Sequence, residues 1–108
     1  MTGATVSTHV LDVSLGTPVP NIDVRLLDAE GKAAGGGLTD REGRLARLAP
    51  EGGVPLGRYR LVFKLEEHFR GRPHLFNVVT LDIEFGDARH YHIPLLIAPF
   101  LCSTYRGS

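Results

Sequence analysis

The chain has one cysteine, one methionine, no tryptophan and no net charge. A lone Cys102 excludes an internal disulfide and any thiolate metal cluster built from one copy, and it suits a reducing compartment. Twelve Lys and Arg balance twelve Asp and Glu, leaving no overall field to gather nucleic acid or an acidic membrane. No apolar run approaches the ~20 residues that a membrane-spanning helix needs. The opening Met1-Thr2-Gly3-Ala4-Thr5 has neither the basic segment nor the apolar stretch of an export signal, and the final Arg-Gly-Ser is not a peroxisomal tripeptide of the Ser-Lys-Leu kind. The expectation is a cytoplasmic protein with no membrane or nucleic-acid partner.

What is present is an ordinary globular composition, 43% hydrophobic and 22% charged over 108 residues, enough for one core and one domain spanning 1–108. Runs rich in β-branched residues recur at Thr5–Val13, Ile22–Leu27, Arg44–Leu48, Arg58–Leu65, Phe76–Phe85 and Arg89–Ile97. Turn chemistry separates them, as in Gly16-Thr17-Pro18, Asp40-Arg41-Glu42-Gly43 and Gly86-Asp87. This is the rhythm of an all-β sandwich or barrel. Tyr59, Leu61, Phe63 and Leu65 alternate with Arg58, Arg60 and Lys64, so that strand covers a core on one side. The stretch from Tyr91 to Leu101 is more uniformly apolar and is expected to be buried on both faces, either centrally or at a subunit contact. Glu66–Arg70 is the one helical candidate, stopped by Gly71 and Pro73. Ala34–Gly37 reads as a short edge strand or a loop.

Three of the five histidines, His9, His90 and His92, fall on strands, where an imidazole can serve as a base near neutral pH. Each is equally a half-buried histidine satisfied by a neighbouring carbonyl. His90-Tyr91-His92 points two imidazoles the same way, a spacing that suits zinc or copper, but only His9 offers itself as a third ligand and no metal is expected. Cys102 sits in Phe100-Leu101-Cys102-Ser103, an apolar setting expected to leave the thiol inert. A Gly-x-Ser-x-Gly elbow is missing, and Gly35-Gly36-Gly37 lacks the Lys-Ser/Thr of a phosphate loop. Arg44, after the Asp40–Gly43 turn, could hold an oxyanion through paired N–H groups or simply be a solvated strand-end charge.

Three stretches carry a likeness to a known family: Ser7-Thr8-His9-Val10-Leu11-Asp12, Thr39-Asp40-Arg41-Glu42-Gly43-Arg44, and His90-Tyr91-His92-Ile93-Pro94-Leu95-Leu96 running on to Ser103-Thr104-Tyr105-Arg106-Gly107-Ser108. In this order and spacing the chain resembles the transthyretin-related 5-hydroxyisourate hydrolases. The resemblance implies a transthyretin-like sandwich of two four-stranded, mostly antiparallel sheets with one short helix. It also implies a homotetramer with active sites at the dimer–dimer interface, and hydrolysis of 5-hydroxyisourate to a carboxylated ureidoimidazoline in purine breakdown, without a cofactor.

The same resemblance places the catalytic set on His9, Arg44, His92 and Ser108, with His9, Arg44, Tyr105, Arg106 and Ser108 contacting substrate, Thr104 lining the pocket and Gly107 giving the chain its turn. His9 and His92 would position and deprotonate water, and Arg44 and Arg106 would hold the carbonyl oxygens. The run Ala98-Pro99-Phe100-Leu101-Cys102 departs from the family's Ser-Pro-Tyr-Gly-Tyr and removes two phenol hydroxyls. Two other readings stand beside this one: a transthyretin-like carrier that binds a small ligand without turning it over, and a structural sandwich module.

Overall fold

The computed structural model describes residues 3–108; the Met1-Thr2 part of the leader reading lies outside the described residues. The first strand, β1 (Thr5–Asp12), shows the period of two that one-sided burial demands. Val6, Thr8, Val10 and Asp12 are buried, while Thr5, Ser7, His9 and Leu11 face outward. After β2 (Thr17–Pro18), β3 (Asp23–Asp28) and β4 (Ala33–Leu38), the chain makes β5 (Arg44–Leu45) and β6 (Gly57–Lys64). The one-turn α1 (Glu66–Phe69) precedes β7 (Val78–Phe85), β8 (His90–Ala98) and β9 (Leu101–Thr104).

The strands form two sheets. One runs β2-β1-β8-β9, with β5 also paired to β1, and the other runs β4-β3-β6-β7. The β1–β8 ladder is parallel, whereas every other ladder is antiparallel. One sheet thus has five strands rather than the expected four, because Thr17–Pro18 folds back onto Leu11–Asp12 along the edge of β1 that also takes β5.

Phe63, Phe69, Phe85, Leu26, Leu61, Leu95 and Ile97 fill the space between the sheets, each such burial worth ~1.5–3 kcal/mol. The alternation read along β6 holds: Tyr59, Leu61, Phe63 and Leu65 are all in this core. The buried polar groups are paired. Thr8 Oγ1 donates to the Ile93 carbonyl at 2.6 Å, and Thr39 Oγ1 donates to the Val19 carbonyl at 2.8 Å while accepting from Ile22 N–H at 2.9 Å.

Several expectations need correction. The Arg44–Leu48 strand ends at Leu45, because Leu48 turns inward between the sheets; its N–H donates to Val6 and its carbonyl accepts from Gly36. The edge-strand alternative for Ala34–Gly37 holds: β4 pairs with β3, and its Gly36 N–H donates to that Leu48 carbonyl. The apolar stretch after Tyr91 lies centrally only as far as β8. Phe100, Leu101 and Cys102 are exposed on the single chain, so within it the thiol has no apolar cover, and the subunit-contact alternative applies to them alone.

Candidate active site

Strand alternation sends Tyr91, Ile93, Leu95 and Ile97 of β8 inward, so His90 and His92 share the outward face of the five-stranded sheet with Ser7 and His9 of β1. The parallel register places Thr5 beside His90 and Ser7 beside His92. On the opposite edge of β1, His9 is paired with Arg44. Arg44 is presented by the preceding turn: Asp40 Oδ1 accepts from Glu42 N–H at 2.9 Å and Arg44 N–H at 3.0 Å. Gly43 takes a φ of 74° there, a left-handed turn position that favours glycine. These turn amides, Arg44 first and then Glu42, hold the Asp40 carboxyl below its ordinary value.

Ser7, Arg44, His90, His92 and Ser108 line one open cavity of about 390 Å³, with Thr8 and Ala46 completing its wall. Within it the histidines are joined by hydroxyls. Thr5 Oγ1 lies 2.7 Å from His90 Nδ1, Ser7 Oγ lies 2.8 Å from His90 Nε2, and the same Ser7 Oγ lies 2.8 Å from His92 Nδ1. Partial burial lowers the pKa of His92, and the nearby Arg44, His9 and His90 lower it further. A histidine so placed is neutral near pH 7 and can accept a proton. Among the described residues, no group of three His, Cys or carboxylate side chains assembles to hold a metal.

The C-terminal segment comes back across this face. Gly107 N–H donates to the His92 carbonyl at 2.7 Å, forming an isolated bridge. Gly107 has no positive φ. Its value is closeness, since a Cβ added there would lie 2.8 Å from His92 Cδ2. The bridge carries Ser108 into the cavity.

Of the residues picked from sequence, Arg44, His92 and Ser108 therefore meet in one cavity, and His9 stands beside them on β1. Thr104, Tyr105 and Arg106 instead line a second cleft, about 430 Å³, between β7 and the β8–β9 side of the other sheet. Sequence reading gave no role to Ser7. A serine on a strand carries no signal of its own, and only the β1–β8 register reveals that it stands between two imidazoles.

Two facing sheets, one bearing this histidine-lined outer face, define a transthyretin-like sandwich. The chain belongs to the HIUase/Transthyretin family, whose model matches residues 6–107. It is 37% identical over 112 residues to the 5-hydroxyisourate hydrolase of Deinococcus radiodurans, with 94% of each chain covered. The solved 5-hydroxyisourate hydrolase of Klebsiella pneumoniae matches with a TM-score of 0.89 at 39% identity, over 97% of this chain and 99% of that one. Sea bream transthyretin in complex with thyroxine matches at 0.83 and 25% identity, over 94% and 93%.

Proposed function

We propose that the chain is an enzyme that hydrolyses 5-hydroxyisourate, adding water at a ring carbonyl and breaking the adjoining C–N bond to give the carboxylated ureidoimidazoline. The observation that carries this reading is the meeting of Arg44, His92 and Ser108 in one open cavity, with His9 alongside. A neutral imidazole and a guanidinium suit water attack on a carbonyl: one takes the proton, the other holds the oxygen as it gains charge.

In this mechanism His92, kept neutral by its surroundings, removes the proton from water, and His9 positions that water. The departing ring nitrogen then takes the proton back. Arg44 offers paired N–H donors to the developing oxyanion, a geometry a lysine cannot copy. Ser108 contributes hydrogen bonds to substrate or water. No cofactor is needed.

Tyr105 and Arg106 line the other cleft in the single chain, so their part as substrate contacts belongs to an assembled protein. We infer a homotetramer in which two five-stranded sheets face one another and complete each site at the dimer–dimer interface. The outward orientation of the histidine face supports that arrangement. Among the described residues no helix is long and apolar enough to cross a membrane, and a cytoplasmic setting with no nucleic-acid partner fits the balanced charge.

The fold shared with thyroxine-bound transthyretin keeps one second reading, a carrier that binds without turnover. The test is the absorbance decay of freshly generated 5-hydroxyisourate, with the full chain and with a chain ending before Tyr105. We expect rapid decay that the truncation abolishes. A full-length rate equal to the spontaneous one would overturn the hydrolase reading.

A further inference from the structure

We propose that Ser7 and His90 are positioning residues that fix the tautomer of His92 and lead its proton toward solvent. The inference rests on the hydrolase reading for its kinetic part only. Ser7 Oγ is 2.8 Å from both His90 Nε2 and His92 Nδ1, but a serine carries a single O–H and can donate to only one of them. At least one ring must therefore donate to Ser7, and a ring that accepts from Ser7 obliges the other to donate. The tautomers of the two histidines are linked through this oxygen.

Two polarities use the Ser7 hydroxyl as both donor and acceptor, and Arg44 favours one of them. Ser7 occupies the Nδ1 side of His92, which leaves Nε2 to the cavity that Arg44 also lines; a guanidinium has N–H donors and no acceptor, and its positive field there favours a lone pair on Nε2 over an N–H. His92 then carries its proton on Nδ1 and donates it to Ser7. Ser7 donates to His90 Nε2, and His90 Nδ1–H donates to Thr5 Oγ1, 2.7 Å away. This polarity leaves His92 Nε2 as a lone pair available to a water in the cavity.

The same chain accounts for the proton that catalysis creates. As water gives a proton to His92 Nε2, the Nδ1 proton passes to Ser7 and the serine's own proton passes to His90 Nε2. His92 ends neutral in its other tautomer, and His90 ends as the imidazolium. The positive charge has moved from a half-buried ring near Arg44 to an exposed one, where water solvates it at less cost. Reversal of the three transfers returns a proton from His92 Nε2 to the leaving nitrogen, so nothing is consumed.

The experiment combines imidazole nitrogen NMR with steady-state kinetics on the full chain and on Ser7→Ala, Ser7→Thr and His90→Asn. In the unmodified protein His92 should be protonated on Nδ1, and Ser7→Ala should remove that preference. Ser7→Ala and His90→Asn should each lower kcat about tenfold or more, within the range for a disabled general base, with KM changed less than about threefold. Ser7→Thr, which keeps the hydroxyl, should restore both the tautomer and most of kcat. An Nε2-protonated His92 in the unmodified protein, a tautomer unchanged in Ser7→Ala, or a kcat unchanged in that variant would each overturn the proposal. If the unmodified chain does not hydrolyse 5-hydroxyisourate, the functional reading fails, and the tautomer measurement alone decides the coupling.

Discussion

Gly107→Ala adds one methyl group where the C-terminal segment crosses His92. The new Cβ would lie 2.8 Å from His92 Cδ2, 3.2 Å from its carbonyl oxygen and 3.4 Å from Cγ. Carbon atoms prefer ~3.5–4.0 Å, so either the ring or the segment must yield. Rotating the ring off its rotamer costs ~0.5–1.5 kcal/mol and breaks the 2.8 Å contact to Ser7. Lifting the segment instead gives up the 2.7 Å bond from Gly107 N–H to the His92 carbonyl, worth ~1 kcal/mol, and withdraws Ser108 from the cavity. Both routes spare the core, so the melting temperature should move by no more than about 4–8 °C, the shift expected for 1 kcal/mol in a domain of this size. Both routes disable the site, and kcat/KM should fall by ~10²-fold or more if His92 is lost as the base. The assay is the absorbance decay of 5-hydroxyisourate beside a thermal melt. A variant that keeps its activity within about threefold would refute the reasoning, and one that fails to fold would show that the bridge is a structural element.

Arg44→Ala should lower kcat/KM by ~10²–10³-fold, as removal of an oxyanion donor does, without unfolding the protein. Removing this cation relieves part of the depression of the His92 pKa, so the acid limb of the residual pH profile should move upward toward 6.5. His9→Ala should likewise cost activity and not the fold, as circular dichroism and turnover together would show. Asp12, fully buried, contributes in a different way. Its burial would raise the carboxyl pKa, but hydrogen bonds from Ser14, His68 and the Leu15 amide outweigh that and hold it at about 2, below the ordinary 3.8. The folded value is depressed, so this stabilisation is complete above pH 3.8 and is lost as pH falls through about 2. It amounts to ~2 kcal/mol, and Asp12→Asn should flatten that part of the acid-unfolding curve. Thr39→Val should destabilise by ~1–3 kcal/mol in a denaturant titration, because it strands the buried Ile22 amide and Val19 carbonyl that the hydroxyl joins.

Local pattern made much of this molecule legible. The alternation of Tyr59, Leu61 and Phe63 against Arg58 and Arg60 identifies β6 and its buried face, because one-sided burial writes a period of two into the residues themselves. His9 and His92 were visible as imidazoles on strands, and the short helix before Gly71 was visible from its stop signals. Elements held by others were not visible. Leu101–Thr104 is exposed throughout and is a strand only because β8 offers its edge. Thr17–Pro18 is likewise a strand by virtue of the end of β1. The link between Ser7 and two histidines depends on a parallel register, and no nearby sequence encodes that.

The parallel ladder also sets an order of assembly. Ser7 and His92 are 85 positions apart, so loop closure must precede their contact. During synthesis, β3, β4, β6 and β7 can pair once Phe85 has emerged, while the free edge of β1 still waits for β8. The histidine-bearing face is then the last part of the sandwich to form. Until it does, β1 exposes unpaired amides and carbonyls along a strand rich in valine, an invitation to association with other nascent chains. The interval between the closing of the two sheets is the time for which that edge stays open to such association.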